Sequence, residues 1–159
     1  MPTNNLLDVG DIRILRIMQR DASLSIAEIA RQAGMSQTPA WRRIKRLKDS
    51  GIIRDIVALV DREAVGLHFV AYTFVKLGVP SRQNMETFDR MVNLWPEVLV
   101  CERVTGAVDY LIKVVTADIQ AYDHFLRHKL LDNELVTDVQ SRIVVATVKD
   151  TPAVPLREA

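Results

Sequence analysis

Apolar and polar positions follow two rhythms along this chain. Up to about residue 50 the rhythm is helical. Val9, Ile12, Ile14, Leu15, Ile17 and Met18 predict a first helix over residues 8–19, with Asp8 as its cap. Arg20-Asp21-Ala22-Ser23 breaks that pattern. Ser25-Ile26-Ala27-Glu28 matches a capping box, in which the Ser and Glu side chains each satisfy the other's backbone N–H, and Ile26, Ile29, Ala30 and Ala33 give the second helix an apolar face. Gly34 suits the left-handed residue that ends a helix, and Ser36 is expected to cap the next one. There Ala40, Ile44 and Leu47 recur at i, i+4 and i+7. Two short helices joined by a Gly-containing turn make a helix-turn-helix.

Past Gly51 the rhythm changes. Residues 53–60 are β-branched and alternate weakly, which predicts a strand, followed by a turn-rich hinge at 61–66. Residues 68–79 predict a strand, and Met85, Phe88, Met91, Val92 and Trp95 mark a helix stopped by Pro96. Residues 97–105 and 110–115 predict a hairpin about Gly106. Ile119, Tyr122, Phe125, Leu126 and Leu130 mark a further helix, and 136–148 closes as a strand. The order β-α-β-β-α-β is the ferredoxin-like, split βαβ arrangement. The expected class is therefore α+β: a winged-type helix-turn-helix at 1–52, a linker strand and hinge at 53–66, a ferredoxin-like βαββαβ domain at 67–150 and a tail at 151–159.

Composition narrows the classes of function. Hydrophobic content of 48% with 26% charged residues describes a folded chain rather than a disordered one. No apolar run reaches the ~18–20 residues a membrane helix needs, and the first residues do not read as a signal peptide, so a cytoplasmic protein without a membrane partner is expected. A single cysteine, Cys101, excludes an internal disulfide framework and reads as a small core residue. The net charge of +1 conceals an asymmetry, because residues 1–60 hold ten Lys/Arg against six Asp/Glu and the remainder eleven against fourteen. Such a split points to an N-terminal part that meets a polyanion.

The chemistry that explains the asymmetry lies in the third helix. Residues 36–48 carry five basic side chains and no acidic one, with the apolar stripe of Ala40, Ile44 and Leu47 behind them. A basic helix with a dry back fits a major groove, so double-stranded DNA is the expected partner. Ser36 and Thr38 belong to the leading turn. Gln37 and Arg42 are the candidates for base edges, since Gln suits adenine and Arg suits guanine. Arg43, Lys45 and Arg46 are candidates for phosphates. Trp41 has two readings, contact with a thymine methyl or sugar and packing against the linker strand.

A helix-turn-helix, a connecting strand and a βαββαβ domain in this order resemble the Lrp/AsnC family, the feast/famine regulators. Carrying the resemblance are Asp11-Ile12-Arg13-Ile14-Leu15, Ile26-Ala27-Glu28-Ile29-Ala30, Gly34-Met35-Ser36-Gln37-Thr38-Pro39, Arg43-Ile44-Lys45-Arg46-Leu47 and Ser50-Gly51-Ile52-Ile53. Further along it rests on Pro96-Glu97-Val98, Val104-Thr105-Gly106, Asp109-Tyr110-Leu111 and residues 144–149. The resemblance implies a sequence-specific transcriptional regulator of amino-acid or related metabolism. It implies a C-terminal domain, called RAM, that binds a small effector, commonly an amino acid, and assembles subunits. It also implies a homodimer, joined into tetramers or octamers, whose linker strand pairs with that of the partner chain. The effector would lie at Thr105, Gly106, Ala107, Val108, Asp109 and Tyr110, with Gln140 and Ser141 contributing from the last strand. Two departures are visible: Ala107 stands where the family loop usually has an acid, and Glu134 precedes Leu135-Val136 where a Gly is common.

Other readings stay in view. Gly106 and Asp109 alone would make an ordinary turn. Siroheme decarboxylases resemble the same two-domain plan, and Ala107 keeps open an architectural DNA protein without an effector. His124 and His128 lie four apart but lack a third ligand, so a solvent-facing pair is expected and no metal or cofactor. No phosphate loop, nucleophile elbow or spaced carboxylate pair suggests catalysis, so the chain is not expected to be an enzyme.

Overall fold

The computed structural model describes residues 7–157, which form two units. One holds the described residues of Met1–Leu59 together with those of Lys149–Ala159, and the other is Val60–Val148. Residues 1–6 of the expected first domain and 158–159 of the expected tail lie outside the described residues.

The first unit is built on α1 (Val9–Met18), α2 (Ile26–Ala33) and α3 (Gln37–Asp49). Ile14, Leu15, Ile29, Ala30, Ala33, Ala40, Ile44 and Leu47 form its core, so each helix buries most of the face that its periodicity predicts, while Val9 and Ile26, first in their helices, are exposed. The capping box falls at α1 rather than α2. Asp8 and Asp11 exchange it, with Asp11 N donating to Asp8 Oδ1 at 2.9 Å and Asp8 N donating to Asp11 Oδ2 at 3.2 Å. Ser25 accepts from Glu28 N, but the Glu28 carboxylate turns to Arg31 and Gln32 and its reciprocal half is missing. Those bonds, Arg31 first, hold the Glu28 pKa down at about 2. Gly34 closes α2 at φ 69°, a left-handed conformation that glycine adopts without a Cβ clash. Ser36 precedes α3 with extended backbone but makes no side-chain cap bond. The reason lies in Pro39, which fills the third helical position and has no N–H to offer it.

One ionic contact sets how α3 lies against α1. Asp11 is 1% exposed. Its Oδ1 accepts from Arg43 Nη1 at 2.9 Å, its Oδ2 accepts from Arg46 Nη2, and Arg43 also pairs with Asp8 at 2.5 Å. Burying a carboxylate is costly unless charge and hydrogen bonds compensate it. Two guanidinium groups and a backbone N–H meet that requirement here.

Residues 54–60 form no β-ladder within the chain, so the expected linker strand is absent among the described residues. A strand exists only through its hydrogen-bonded neighbour, and no segment of this chain supplies one. Ile56, Val57, Leu59 and Val60 are exposed as a result. The C-terminal segment, by contrast, is no loose tail, because Leu156 packs against the helix-turn-helix core.

The second unit runs β1 (Phe69–Leu77), α4 (Arg82–Val92), β2 (Val98–Arg103), β3 (Tyr110–Thr116), α5 (Ile119–Phe125), a π-helical turn (Leu126–Leu131) and β4 (Val136–Ile143). Its antiparallel sheet has the order β2-β3-β1-β4, the ferredoxin-like arrangement. Ala71, Val75, Leu77, Ile112 and Val114 meet Phe88, Trp95, Tyr122 and Phe125 in one core. Trp95 is buried beyond the end of α4 rather than on the helix itself. Because side chains alternate, Tyr72, Phe74, Lys76, Leu111, Lys113, Gln140 and Arg142 share the opposite face of the sheet. On that face Tyr72, Gln140 and Arg142 are exposed and Phe74, Leu111 and Lys113 half-buried, while Val70 and Val115 at its end are buried.

The Asp11 contact generates an expectation. Asp11→Asn keeps size and capping geometry but removes the charge, and should destabilise the three-helix unit by about 2 kcal/mol, since half-exposed Arg46 can still reach water. Asp8→Asn, at a half-exposed position that retains a good capping residue, should cost about 0.5 kcal/mol. Urea unfolding followed by far-ultraviolet circular dichroism measures both; equal effects would contradict the clamp.

Candidate DNA-reading helix and effector loop

The exposed side of α3 carries Gln37, Thr38, Trp41, Arg42 and Lys45, with Ser36 at its entrance. Helical geometry puts positions three and four apart on one side, and the buried stripe of Ala40, Ile44 and Leu47 turns these residues to solvent. Trp41 is 49% exposed, and the Lys45 ammonium sits 5.7 Å from the centroid of its ring. Trp41 therefore shares the side of the reading candidates. Arg42 and Lys45 make no ion pair among the described residues. Arg43 and Arg46 do, through Asp8 and Asp11, and those acids raise the Arg43 pKa further while Arg43 holds that of Asp8 below the usual carboxylate range. The five basic side chains of this segment thus divide into two that pair with acids of the α1 start, Arg43 and the half-exposed Arg46, and three, Arg42, Lys45 and Lys48, that pair with none among the described residues. Asp8 and Asp11, three apart at the start of α1, were the signal in the sequence for that division.

Residues 104–109 connect β2 to β3, which Tyr110 opens. Thr105, Gly106 and Ala107 are exposed, Val108 and Asp109 half-buried, and Tyr110 fully buried. Gly106 has φ 123°, which L side chains rarely adopt. Asp109 is turned to the protein's own backbone: its Oδ2 accepts from Leu77 N at 2.7 Å, and its N–H donates to Val75 O at 3.0 Å. The Leu77 N–H is available because the β1–β3 ladder ends at the Val75–Tyr110 pair, one residue before Asp109 enters the loop. Tyr110 points inward, its hydroxyl donating to Asp89 Oδ1 at 2.9 Å and lying 3.2 Å from Met85 O. Desolvation first, and then Asp89, push its pKa up to about 12. Asp89 also accepts from Arg103. Burial would raise the Asp89 pKa, but the bonds from Arg103 and Tyr110 outweigh it and the net shift is downward.

Gln140 and Ser141 are adjacent on β4 and therefore lie on opposite faces. Gln140 pairs with Phe74 on the open face. Ser141 pairs with Thr73 on the helix side, where its Oγ lies 2.5 Å from the Tyr122 hydroxyl, which in turn lies 2.7 Å from Thr73 Oγ1. The structure accordingly leaves Thr105, Gly106, Ala107, Gln140 and Ser141 exposed, and uses the side chains of Asp109, Tyr110 and Ser141 in hydrogen bonds within the unit.

A concavity of about 310 Å³ is lined by Asp89, Val92, Asn93, Cys101, Arg103 and Tyr110. Cys101 is exposed and not the core residue expected, because β2 is the sheet edge and only its first residue is packed on the core. Desolvation of the thiol and the Asp89 carboxylate push its pKa up to about 11, so it is a thiol at neutral pH. His124 and His128 have ring centroids 4.3 Å apart, and His128 Nδ1 lies 3.2 Å from Asp132 on an exposed surface. No helix of the described residues is long and apolar enough to cross a membrane.

Comparison with known proteins agrees with this architecture over both units. Residues 7–54 match the winged helix-turn-helix DNA-binding family, and residues 70–154 match the Lrp/AsnC ligand binding domain. The chain is 33% identical to the transcriptional regulator AzlB of Bacillus subtilis over 96% of its own length and 98% of that protein. It is 34% identical to the glutamate uptake regulatory protein of Zymomonas mobilis, covering 96% and 92% of the two chains. Among solved structures, the Neisseria meningitidis transcriptional regulator NMB0573 in complex with L-Met superposes with a TM-score of 0.90 at 36% identity, covering 94% of this chain and 96% of that one. With helix-turn-helix, ligand-binding fold and near end-to-end relatives all in agreement, this chain belongs to the Lrp/AsnC family of transcriptional regulators.

Proposed function

We propose that this protein is a homodimeric, effector-responsive DNA-binding regulator of amino-acid metabolism that acts in the cytoplasm and is not an enzyme. The observation that carries the reading is the outward face of α3, where Arg42 and Lys45 stand unpaired by acids beside Gln37, Thr38 and Trp41. In this reading Gln37 and Arg42 contact base edges, Trp41 a thymine methyl, and Ser36, Thr38 and Lys45 the backbone. Arg43 and Arg46 act through Asp11, as residues that position the helix. Dimerisation is supported by apolar surface that one chain leaves exposed: the ladderless residues 54–60, with Ile56, Val57, Leu59 and Val60, and Tyr72 on the outer sheet face. Pairing the first with its counterpart would supply the missing ladder. Further assembly to tetramers or octamers would follow the family pattern.

The effector in this reading is an amino acid; the Neisseria protein is in complex with L-Met. It is met by the main chain and side chains of Thr105, Gly106, Ala107 and Val108 with Gln140, while Asp109, Tyr110 and Ser141 hold the frame around it. An effector that alters DNA affinity must bind unequally to the DNA-competent and incompetent assemblies.

Two experiments test the reading. With a duplex selected by the protein from a random pool, Arg42→Ala should relax discrimination at one base pair by about 1–3 kcal/mol. Lys45→Ala should weaken all sequences alike and lower the slope of log K against log salt by about 1. Unchanged binding in both variants would overturn the assignment of α3. Separately, a thermal-shift screen of the common amino acids should find one that raises the midpoint, by about 2.7 kcal/mol of added stability at one hundred times its Kd. Gly106→Val, strained at that φ, should remove the response. A screen in which no amino acid shifts the midpoint would contradict the effector role.

A further inference from the structure

The last described residues dock on the helix-turn-helix unit through a specific set of bonds. Gln19, just past α1, pairs with Val154 in both directions. Val154 N donates to Gln19 Oε1 at 2.7 Å, and Gln19 Nε2 donates to Val154 O at 3.3 Å. A carboxamide carries a donor and an acceptor side by side, so it engages one residue's backbone as a neighbouring strand would. Arg16 Nη2 donates to Leu156 O at 3.2 Å. Leu156 itself is half-buried against the apolar cluster of the unit, whereas Val154 and Pro155 are exposed. The segment thus has one apolar anchor and three backbone contacts, all made with side chains of one helix end.

Its sequence suits that job. Pro155 fixes its own φ and restricts Val154 to extended conformations, and Pro152 does the same for Thr151. The Thr151 hydroxyl accepts from Ala153 N at 3.2 Å and orders the approach. A segment already extended loses less freedom on docking than a flexible one. Pro155 lacks an N–H, and the contacts use the groups on either side of it.

Connectivity gives the docking its meaning. The chain leaves the helix-turn-helix unit after Leu59, forms the ligand-binding unit, and returns after Val148. β4 ends at Ile143, and residues 144–150 lead from the sheet to the docked segment.

We propose that residues 151–156 are an intramolecular latch. They occupy a peptide-binding surface at the end of α1, made by Arg16, Gln19 and the adjoining apolar cluster, and give the reading unit a second tether to the ligand-binding unit beside residues 54–60. The surface fits an extended, proline-containing peptide with a leucine anchor, and its occupant is the chain's own C-terminal segment.

Hydrogen exchange followed by mass spectrometry on the full chain, free of DNA, tests the latch apart from any regulatory role. In Leu156→Asp, amides of 16–21 and 153–157 should exchange about tenfold faster, the change that ~1.4 kcal/mol of lost anchoring produces, while Val60–Val148 stays unchanged. Gln19→Ala, which removes only the carboxamide bonds, should speed exchange at 153–157 several-fold. Should Leu156→Asp instead unfold the whole three-helix unit, the Gln19→Ala result decides alone. No change in Gln19→Ala overturns the latch, as does unchanged exchange in both variants. Protection that rises with protein concentration would assign the segment to a second copy and also overturn it.

Discussion

A single buried carboxylate governs how this protein presents its cations. Asp11 cannot stay charged and dry without compensation, and the groups that compensate it are Arg43 and Arg46 of α3. Their spacing of three residues places both on the side of α3 that meets α1. Together with the packing of Ala40, Ile44 and Leu47, that fixes the roll of the helix about its own axis. Everything outside that sector is left to face water: Gln37, Thr38, Trp41, Arg42 and Lys45. The Asp8–Asp11 capping box orients the carboxylate from the other side, so one contact joins the start of α1 to the middle of α3.

The ligand-binding unit shows the same economy with charged and polar groups. Asp109 supplies the Leu77 N–H with an acceptor where the β1–β3 ladder has ended, and Tyr110 carries its hydroxyl into the core to Asp89. Both residues therefore shape residues 105–108 from beneath. The loop can present main-chain groups at Gly106 because its neighbours are held by bonds that need no ligand. Ala107 removes an acid from the exposed part of that loop and leaves the supporting bonds intact.

Much of this was legible in the sequence. The buried faces of α1–α3, the left-handed Gly34 and the βαββαβ order follow from periodicity and turn chemistry, which are local properties. What was not legible depends on partners distant along the chain. Ser25 and Glu28 have the spacing of a capping box, but Arg31 and Gln32 compete for the glutamate; Asp8 and Asp11 form the box without the usual residue types. Ser36 has the right residue type for a cap, yet Pro39 removes the N–H it would bind. The β-branched residues 54–60 have strand character and no strand to pair with in one chain. Gln140 and Ser141 fall on opposite faces by the period of two, which the sequence does contain. The docking of Leu156 rests on one leucine and backbone groups, and leaves no periodic trace.

The division of the α3 cations into holders and readers is open to one direct measurement, the salt dependence of DNA affinity for Arg46→Gln at a temperature where the variant is folded. Each phosphate contact contributes a slope of about 0.9 in log K against log salt. With Arg46 committed to Asp11, the slope should equal that of the unaltered protein. A slope shallower by about 0.9 would show Arg46 on a phosphate and contradict the account.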